Sequence, residues 1–526
     1  MCGIYSYIGK ENINLKKYNE IRSRGPDNTT VKQISTNAYF CFHRLMINDL
    51  SETGNQPMQY ENITLMCNGE IYNSDQLKKE FDVEYKSNSD CEVLIHMYNK
   101  YGFKDMLDRI DGVFAILLHD SASNKMWLGR DPFGVRPMFF GNDENNIEIA
   151  SELKSIENSY KSSQFPPGHF MSIQLPSMKC SEPERYHYID RDIIFKGMSY
   201  DYYAEQVKIN FEDAVKKRLM SDRPIGCLLS GGLDSSLVCG IVAREYKEQN
   251  KGILNTFSIG FSESTDLKYA KKVAEHIGSN HHEILLQESD FINAIPEVIK
   301  TIESYDTTTV RASVGNYLVS KYIKENTNIT VVYNGDGSDE VAGGYLYLKR
   351  APSYTDFENE CERLLNEIYF FDVLRSDRCV SSKWSLEART PFLDKKFVNT
   401  YLSVPVQYRV QEAYGAEKSL LRNAFKNDNI IPNDVLFRTK EAFSDGVSGS
   451  QNSWHKVIQA FIDTQVSDEE FIENKERIRF NTPILKESYY YRKIFESYYP
   501  NKGFIIPHFW MPKWTSTNDP SARELD

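Results

Sequence analysis

The sequence predicts two domains of mixed α and β structure, the first rich in antiparallel sheet and the second built on a parallel sheet with crossover helices. Three observations lead there. The chain is 526 residues long, which corresponds to roughly two to four domains of ordinary size. The first part carries short strand-like runs separated by Asp-Gly, Pro-Phe-Gly and Pro-Pro-Gly punctuation. After a polar, irregular stretch from Tyr186 to Ser199, strand and helix patterns alternate.

In the first part, Ala38 to Phe42, Ile63 to Cys67, Gly112 to His119 and Lys125 to Leu128 read as strands, and Cys91 to Tyr101 reads as a helix. In the second, Ile225 to Leu229 is a short apolar strand followed by a helix over Ser235 to Lys247. Leu254 to Ile259 is the next strand, and Leu267 to Ile277 a helix with Ala270, Val273, Ala274 and Ile277 on one face. Helices over Phe291 to Glu303 and Ala312 to Lys324 precede a strand at Ile329 to Tyr333. Such alternation gathers ligands at the carboxyl ends of the strands. Beyond about residue 350 the pattern is helical and irregular.

Composition narrows the function. Lys and Arg number 62 against 74 acidic residues, a net charge of −12, with no long basic block. A nucleic-acid partner held through phosphates is therefore disfavoured. The longest apolar pieces, such as Val113 to Leu118, fall far short of the roughly 18 to 20 residues that span a bilayer, and a soluble protein without a membrane partner is expected. Nine scattered cysteines with no C-x-x-C pair suit a reducing compartment and no structural zinc. With no leader or retention signal at either end, the cytoplasm is the expected location.

Ser230-Gly231-Gly232-Leu233-Asp234-Ser235-Ser236 follows a strand and opens a helix. Its backbone N–H groups can converge on phosphate oxygens at the positive helix end. The loop is not a Walker A sequence, and Asp234 would repel phosphate unless it holds Mg2+. A second strand-end loop, Asn334-Gly335-Asp336-Gly337-Ser338-Asp339-Glu340, crowds several carboxylates together, which is costly without a cation. Two such loops in one sheet point to ATP with magnesium; the first alone has the alternative of a tight Gly-rich turn without ligand, and the second alone reads equally as a solvated turn.

Cys2 can carry both a thiol and a free α-amino group once the initiator methionine is removed. An amine with a pKa of roughly 7.7 to 8.0 can act as general base to its own nucleophile. Further elements are Arg22-Ser23-Arg24-Gly25-Pro26-Asp27, His43-Arg44-Leu45, Asn68-Gly69-Glu70-Ile71-Tyr72-Asn73, Asp90 and Arg130-Asp131-Pro132-Phe133-Gly134-Val135-Arg136-Pro137. Arg44 can pair bidentately with a carboxylate, and Glu70 and Asp90 can accept from an ammonium, which together describe recognition of a free amino acid. Asn68 and the Gly69 amide can stabilise a tetrahedral oxyanion. Singly, each charged residue reads as a surface ion pair.

With these residues in view, the sequence resembles the glutamine-hydrolysing asparagine synthetases, from Met1 to Trp510-Met511-Pro512-Lys513-Trp514 and Asp519-Pro520-Ser521-Ala522-Arg523. The resemblance implies a glutaminase domain of the N-terminal nucleophile hydrolase type, layered αββα, over residues 2–190. It implies an α/β domain with a parallel sheet of the ATP-pyrophosphatase type over residues 200–526. The implied reaction converts ATP, aspartate, glutamine and water into AMP, pyrophosphate, asparagine and glutamate through β-aspartyl-AMP, with ammonia channelled between domains. The family also allows a homodimer.

By the same resemblance Cys2 is the nucleophile, and Arg44, Leu45, Met46, Ile47 and Asn48, with Asn68, Gly69, Glu70 and Asp90, form the glutamine pocket. Leu229, Ile259, Asn334 and Gly335 contact the nucleotide beside the loop residues Ser230, Gly231, Gly232, Asp234 and Ser235. Asp234 and Asp339 bind magnesium. Thr308 and Arg311 bind aspartate or the intermediate, and Lys440 steadies phosphate charge. The chain departs from the family's usual Ser-Gly-Glu-Gly-Ser-Asp-Glu by carrying Asn334 and Asp336. Aspartate keeps the charge of the glutamate associated with intermediate chemistry but is one methylene shorter. Thr390 replaces a more usual apolar residue. Two other readings remain: an amide-forming ligase for a different carboxylate, and a non-catalytic amino-acid or nucleotide sensor.

Overall fold

The computed structural model describes residues 1–10, 13–156, 161–410, 416–439, 447–448 and 453–520. Its contacts divide into two units, Met1–Tyr188 with Met220–Pro224 and Ser381–Glu387, and Ile189–Leu219 with Ile225–Val380 and Ala388–Asp526.

In the first unit a six-stranded sheet runs in the order Ser163–Gln164, Phe139–Asn142, Asn146–Ala150, Gly3–Gly9, Ala38–Arg44, Asn28–Ser35. A seven-stranded sheet runs Lys179–Cys180, His169–Gln174, Lys125–Arg130, Gly112–Asp120, Ile63–Ile71, Met58–Tyr60, with Glu184–Arg185 pairing His169–Gln174. The strand period of two sorts the central strands' side chains between two cores. Met66, Ala115 and Leu117 face Ile4, Ile8, Phe40 and Phe42 of the other sheet. Leu65, Cys67, Phe114, Ile116 and Leu118 face the helix Val93–Arg109. The outer side of the six-stranded sheet receives the short helix Leu15–Asn19, whose Tyr18 stacks on His43 at 3.9 Å. The layers are therefore helix, sheet, sheet, helix.

The expected helix at Cys91 to Tyr101 begins two residues later and runs on to Arg109, across a break at Gly102 (φ 77°). The chain resumes its helical course there because Phe103, Met106 and Leu107 are buried against the sheet. Gly3–Gly9, fully buried, carried no alternation by which to recognise it.

The second unit holds a five-stranded sheet in the order Asn280–Leu285, Asn255–Gly260, Ile225–Leu228, Val331–Tyr333, Glu387–Arg389. The first four are parallel. The sequence of connections moves outward from Ile225–Leu228 on one side and then returns to place Val331–Tyr333 on the other. That reversal is a topological switch point, where the loops leaving adjacent strands part and open a crevice. The edge strand Asn280–Leu285 was not expected from the sequence: it is polar and largely solvent-facing, so it lacks an apolar signature. The helix Thr265–Ile277 is capped by Ser264, which accepts from Leu267 N, and by Gly278 in the left-handed region.

Candidate active sites

The two Gly- and Asp-containing loops leave the two strands that flank the switch point. They border a cavity of about 470 Å³ lined by Leu229, Ser230, Gly232, Asp234, Ser235, Ile259, Thr308, Arg311, Asn334, Gly335, Asp336 and Asp339, among others. The structure brings these residues of the sequence-derived set together. Gly231 does not line the cavity. It sits at φ +76° with an added Cβ only 2.5 Å from Ala270 N, so its glycine serves the turn and the packing of helix Thr265–Ile277. The loops also grip each other: Ser338 Oγ donates to Asp234 Oδ1 at 2.7 Å. At Gly335 a Cβ would stand 2.8 Å from Ser235 N, and this approach is what juxtaposes the loops.

Asp234 and Asp339 converge on one cation. Lys418 Nζ lies 2.6 Å from Asp234 Oδ2 and 2.7 Å from Asp339 Oδ1, with its side chain 2% exposed. Burial alone would lower the lysine, but the two carboxylates hold it well above its ordinary range. Two carboxylates beside space for phosphate oxygens are also a fitting donor set for Mg2+, which takes few protein ligands. Among the described residues no cluster of three or more His, Cys, Asp or Glu forms a metal cage.

Asp336 lies on the cavity wall with both oxygens engaged. Arg375 donates to Oδ1 at 2.5 Å and Asn334 Nδ2 to Oδ2 at 2.8 Å. Burial pushes its carboxyl up to about 6, with Arg375 opposing and Asp372 reinforcing the rise. Neighbouring Glu340 is also raised well above the usual carboxylate range, by burial and then by Asp372. Glu340 Oε2 and Thr308 Oγ1 are buried without a hydrogen-bond partner among the described residues.

The helix expected from Ala312 begins at Thr307, because Asp306 caps it by accepting from Thr309 N at 2.9 Å. Thr308 and Arg311 therefore belong to its first turns. Arg311 is already paired, its Nε and NH2 donating to Glu487 at 2.8 and 2.6 Å and its NH1 and NH2 reaching Asp519. Lys440 lies outside the described residues.

In the first unit, Cys2 lies at the start of the central strand Gly3–Gly9. Its N–H donates to Asn68 Oδ1 at 3.0 Å, its carbonyl accepts from Arg24 Nε at 3.0 Å, and its Sγ faces Leu45 O at 3.8 Å. Burial raises the thiol, while the chain's amino group and the Leu45 contact oppose the rise. Met1 is buried, and desolvation lowers its amino group to about 6. Asn68 Nδ2 is buried and has no partner among the described residues, so the side chain that accepts from Cys2 N also carries a spare N–H donor.

Glu70 and Asp90 are both buried. Asn48 Nδ2 donates to Glu70 Oε2, and Asp90 Oδ2 accepts from Ile71 N at 2.7 Å. Arg44 departs from the expectation of an open guanidinium. Its NH1 donates to Ser51 O at 2.7 Å and Asn55 Oδ1 at 2.9 Å, and its NH2 to the carbonyls of Asn48 and Asp49. In this structure Arg44 shapes the loop that carries Leu45, Met46, Ile47 and Asn48. Met46 N in turn donates to Asp27 Oδ2 at 2.8 Å.

Several residues of these sites had no assigned role in the sequence reading. Arg24 belongs to a motif that was noticed, and its buried guanidinium, bonded to Glu152 at 2.6 Å, anchors the Cys2 carbonyl. Lys418, Arg375, Glu340 and Asp372 line the switch-point cavity. The distance of Lys418 and Arg375 along the chain from the loops they meet leaves no local pattern that marks them.

Comparison with known proteins agrees with this arrangement along the whole chain. Residues 1–204 match the glutamine amidotransferase domain model, and residues 206–362 and 349–504 match the asparagine synthase model. "Asparagine synthetase [glutamine-hydrolyzing]" of Cricetulus griseus is 44% identical, covering 100% of this chain and 98% of the relative. The proteins of the same name from Homo sapiens and Gallus gallus are each 43% identical over the same shares. With matched domain models on both halves and full-length similarity to relatives 43–44% identical, the chain belongs to the family of glutamine-hydrolysing asparagine synthetases.

Proposed function

We propose that the chain catalyses ATP- and glutamine-dependent synthesis of asparagine, yielding AMP, pyrophosphate and glutamate. The observation that carries the reading is the cavity at the switch point, where the Ser230 loop and the Asn334 loop meet over paired carboxylates. ATP enters this cavity with its phosphates toward the N-terminus of helix Leu233–Glu248, where free N–H groups and the helix dipole favour anions. Leu229 and Ile259 supply apolar wall. Asp234 and Asp339 would hold Mg2+, which when bound neutralises charge on the leaving pyrophosphate.

A β-carboxylate oxygen of aspartate attacks the α-phosphorus, the bond to the β-phosphate oxygen breaks, and pyrophosphate leaves. Ammonia then attacks the acyl carbon of β-aspartyl-AMP, AMP departs, and the ammonium nitrogen loses its extra proton. Thr308 and Arg311 orient aspartate or the adenylate. The Asp336 carboxylate faces the reacting acyl group, and Lys440 steadies phosphate charge.

In the glutaminase unit, removal of Met1 frees the Cys2 amine to take the thiol proton. The thiolate adds to the glutamine amide carbon, and Asn68 Nδ2 with the Gly69 N–H stabilises the oxyanion. Ammonia leaves, and water hydrolyses the thioester to glutamate. Glu70 and Asp90 receive the substrate ammonium, and the loop that Arg44 organises receives the carboxylate. The nine cysteines are all free, which supports residence in the cytoplasm.

Incubation with ATP, aspartate and amide-labelled glutamine tests the whole reading. Labelled asparagine, AMP and pyrophosphate are expected in equal amounts. Formation of ADP and phosphate, or absence of label from asparagine, refutes it.

A further inference from the structure

Asn334 and Asp336 are separated by one glycine and bonded to each other twice. Asn334 Nδ2 donates to Asp336 Oδ2 at 2.8 Å, and Asp336 N donates to Asn334 Oδ1 at 3.4 Å. A carboxylate offers only acceptors, so it dictates that the amide nitrogen faces it. Asn334 is itself fixed: it is 4% exposed, and its backbone N–H donates to Arg389 O at 3.1 Å. On the opposite side Arg375 holds the other carboxylate oxygen at 2.5 Å.

We propose that Asn334 is a positioning residue for Asp336, setting the reach of a short carboxylate toward the acyl-adenylate. This rests on the reading that Asp336 serves adenylate chemistry. Side-chain lengths give the reason. Asparagine carries its donor one bond farther from the backbone than serine does, and aspartate carries its oxygens one bond nearer than glutamate does. An Asn and Asp pair therefore spans the same combined length as a Ser and Glu pair. The two side chains meet through one close hydrogen bond at 2.8 Å, and changing one length alone breaks the match. Asn334 touches neither reacting atom in this role; it acts through Asp336, with Arg375 as the second arm of the clamp.

The test is a cycle on the full chain: Asn334→Ser, Asp336→Glu, the double variant and Asp336→Ala. Each is assayed for ammonia-dependent asparagine formation, with calorimetric binding of MgATP and thermal melting on the same samples. Asn334→Ser is expected to lower kcat about tenfold, since small misplacements of a reacting group cost one to two orders of magnitude, while KM for ATP moves less than about twofold. Asp336→Glu alone keeps measurable activity at a reduced kcat, and the double variant exceeds the product of the two single effects by about tenfold, as contacting residues do when they couple.

Asn334→Asp, which keeps the shape and the acceptor but cannot donate to the carboxylate, is the second variant should serine disturb the loop. It is expected to lose more than serine does. A wild-type kcat for both Asn334 variants alongside an inactive Asp336→Ala overturns the inference while leaving the role of Asp336 standing. So does a strictly multiplicative double variant, or a rise in KM for ATP with kcat unchanged. Near-normal synthesis by Asp336→Ala refutes the underlying reading instead.

Discussion

Replacing Asn68 by Asp separates the two jobs that its amide performs beside Cys2. The isosteric carboxyl keeps an oxygen to accept from Cys2 N, now bonded at 3.0 Å, but loses the N–H donor. In the structure that donor is buried and unpartnered among the described residues, so it is available for the developing oxyanion. Loss of a single oxyanion donor costs about 10² to 10³ in kcat, or roughly 2.7 to 4 kcal/mol. The upper end is expected here, because the substituted oxygen also repels the negative charge it replaces a donor for. The assay is glutamate release from glutamine alone, with ammonia-dependent asparagine formation measured on the same enzyme and expected to be unchanged. Glutaminase kcat within about threefold of wild type would refute the oxyanion role. A raised KM with intact kcat would make Asn68 a substrate-binding group instead.

Cys2→Ala should abolish glutaminase activity and glutamine-dependent synthesis while sparing the ammonia-dependent reaction, since the nucleophile serves only the first half-reaction; residual glutamine hydrolysis would reassign the nucleophile. Asp234→Asn should impair pyrophosphate release with either nitrogen source and weaken Mg2+-dependent ATP binding by calorimetry, leaving glutaminase intact; unaltered aspartate-dependent pyrophosphate release would reject the metal role. Asp394 provides a pH test of stability. Burial would raise its carboxyl, but Arg218 at 2.8 Å and Lys217 at 2.6 Å prevail and bring it down to about 2. A carboxyl depressed below its unfolded value stabilises fully above about pH 4, and that stabilisation disappears as pH falls through about 2. Asp394→Asn should therefore lower the unfolding free energy at pH 7, measured by denaturant titration, by an amount on the order of 3 to 5 kcal/mol for a broken buried pair. Its deficit should shrink toward pH 2; a deficit independent of pH would show that the charge pairing is not its source.

The amino-acid sequence by itself determined the fold class, the order of the two domains and the two loops that meet at the switch-point cavity. Those features are written in local pattern: the short, mostly apolar run Ile63 to Cys67, a strand running into Ser230-Gly231-Gly232, and the periodic face of Thr265–Ile277. Contacts between distant segments were decided only by the tertiary structure. The strand order, not any motif, opens the switch point and sets Ser338 against Asp234. Lys418 meets the acidic loops because chain folding returns it there, and no periodicity encodes an ion pair spanning 184 residues. At Gly231 the sequence shows a glycine-rich turn, and only the fold shows that helix Thr265–Ile277 packs where a side chain would stand. Arg44 and Arg311 were legible as charges, but whether a guanidinium is open or already satisfied depends on neighbours such as Ser51, Asn55, Glu487 and Asp519. Sequence encodes which groups a residue carries; burial requires those groups to be paired, and only the folded chain selects the partners.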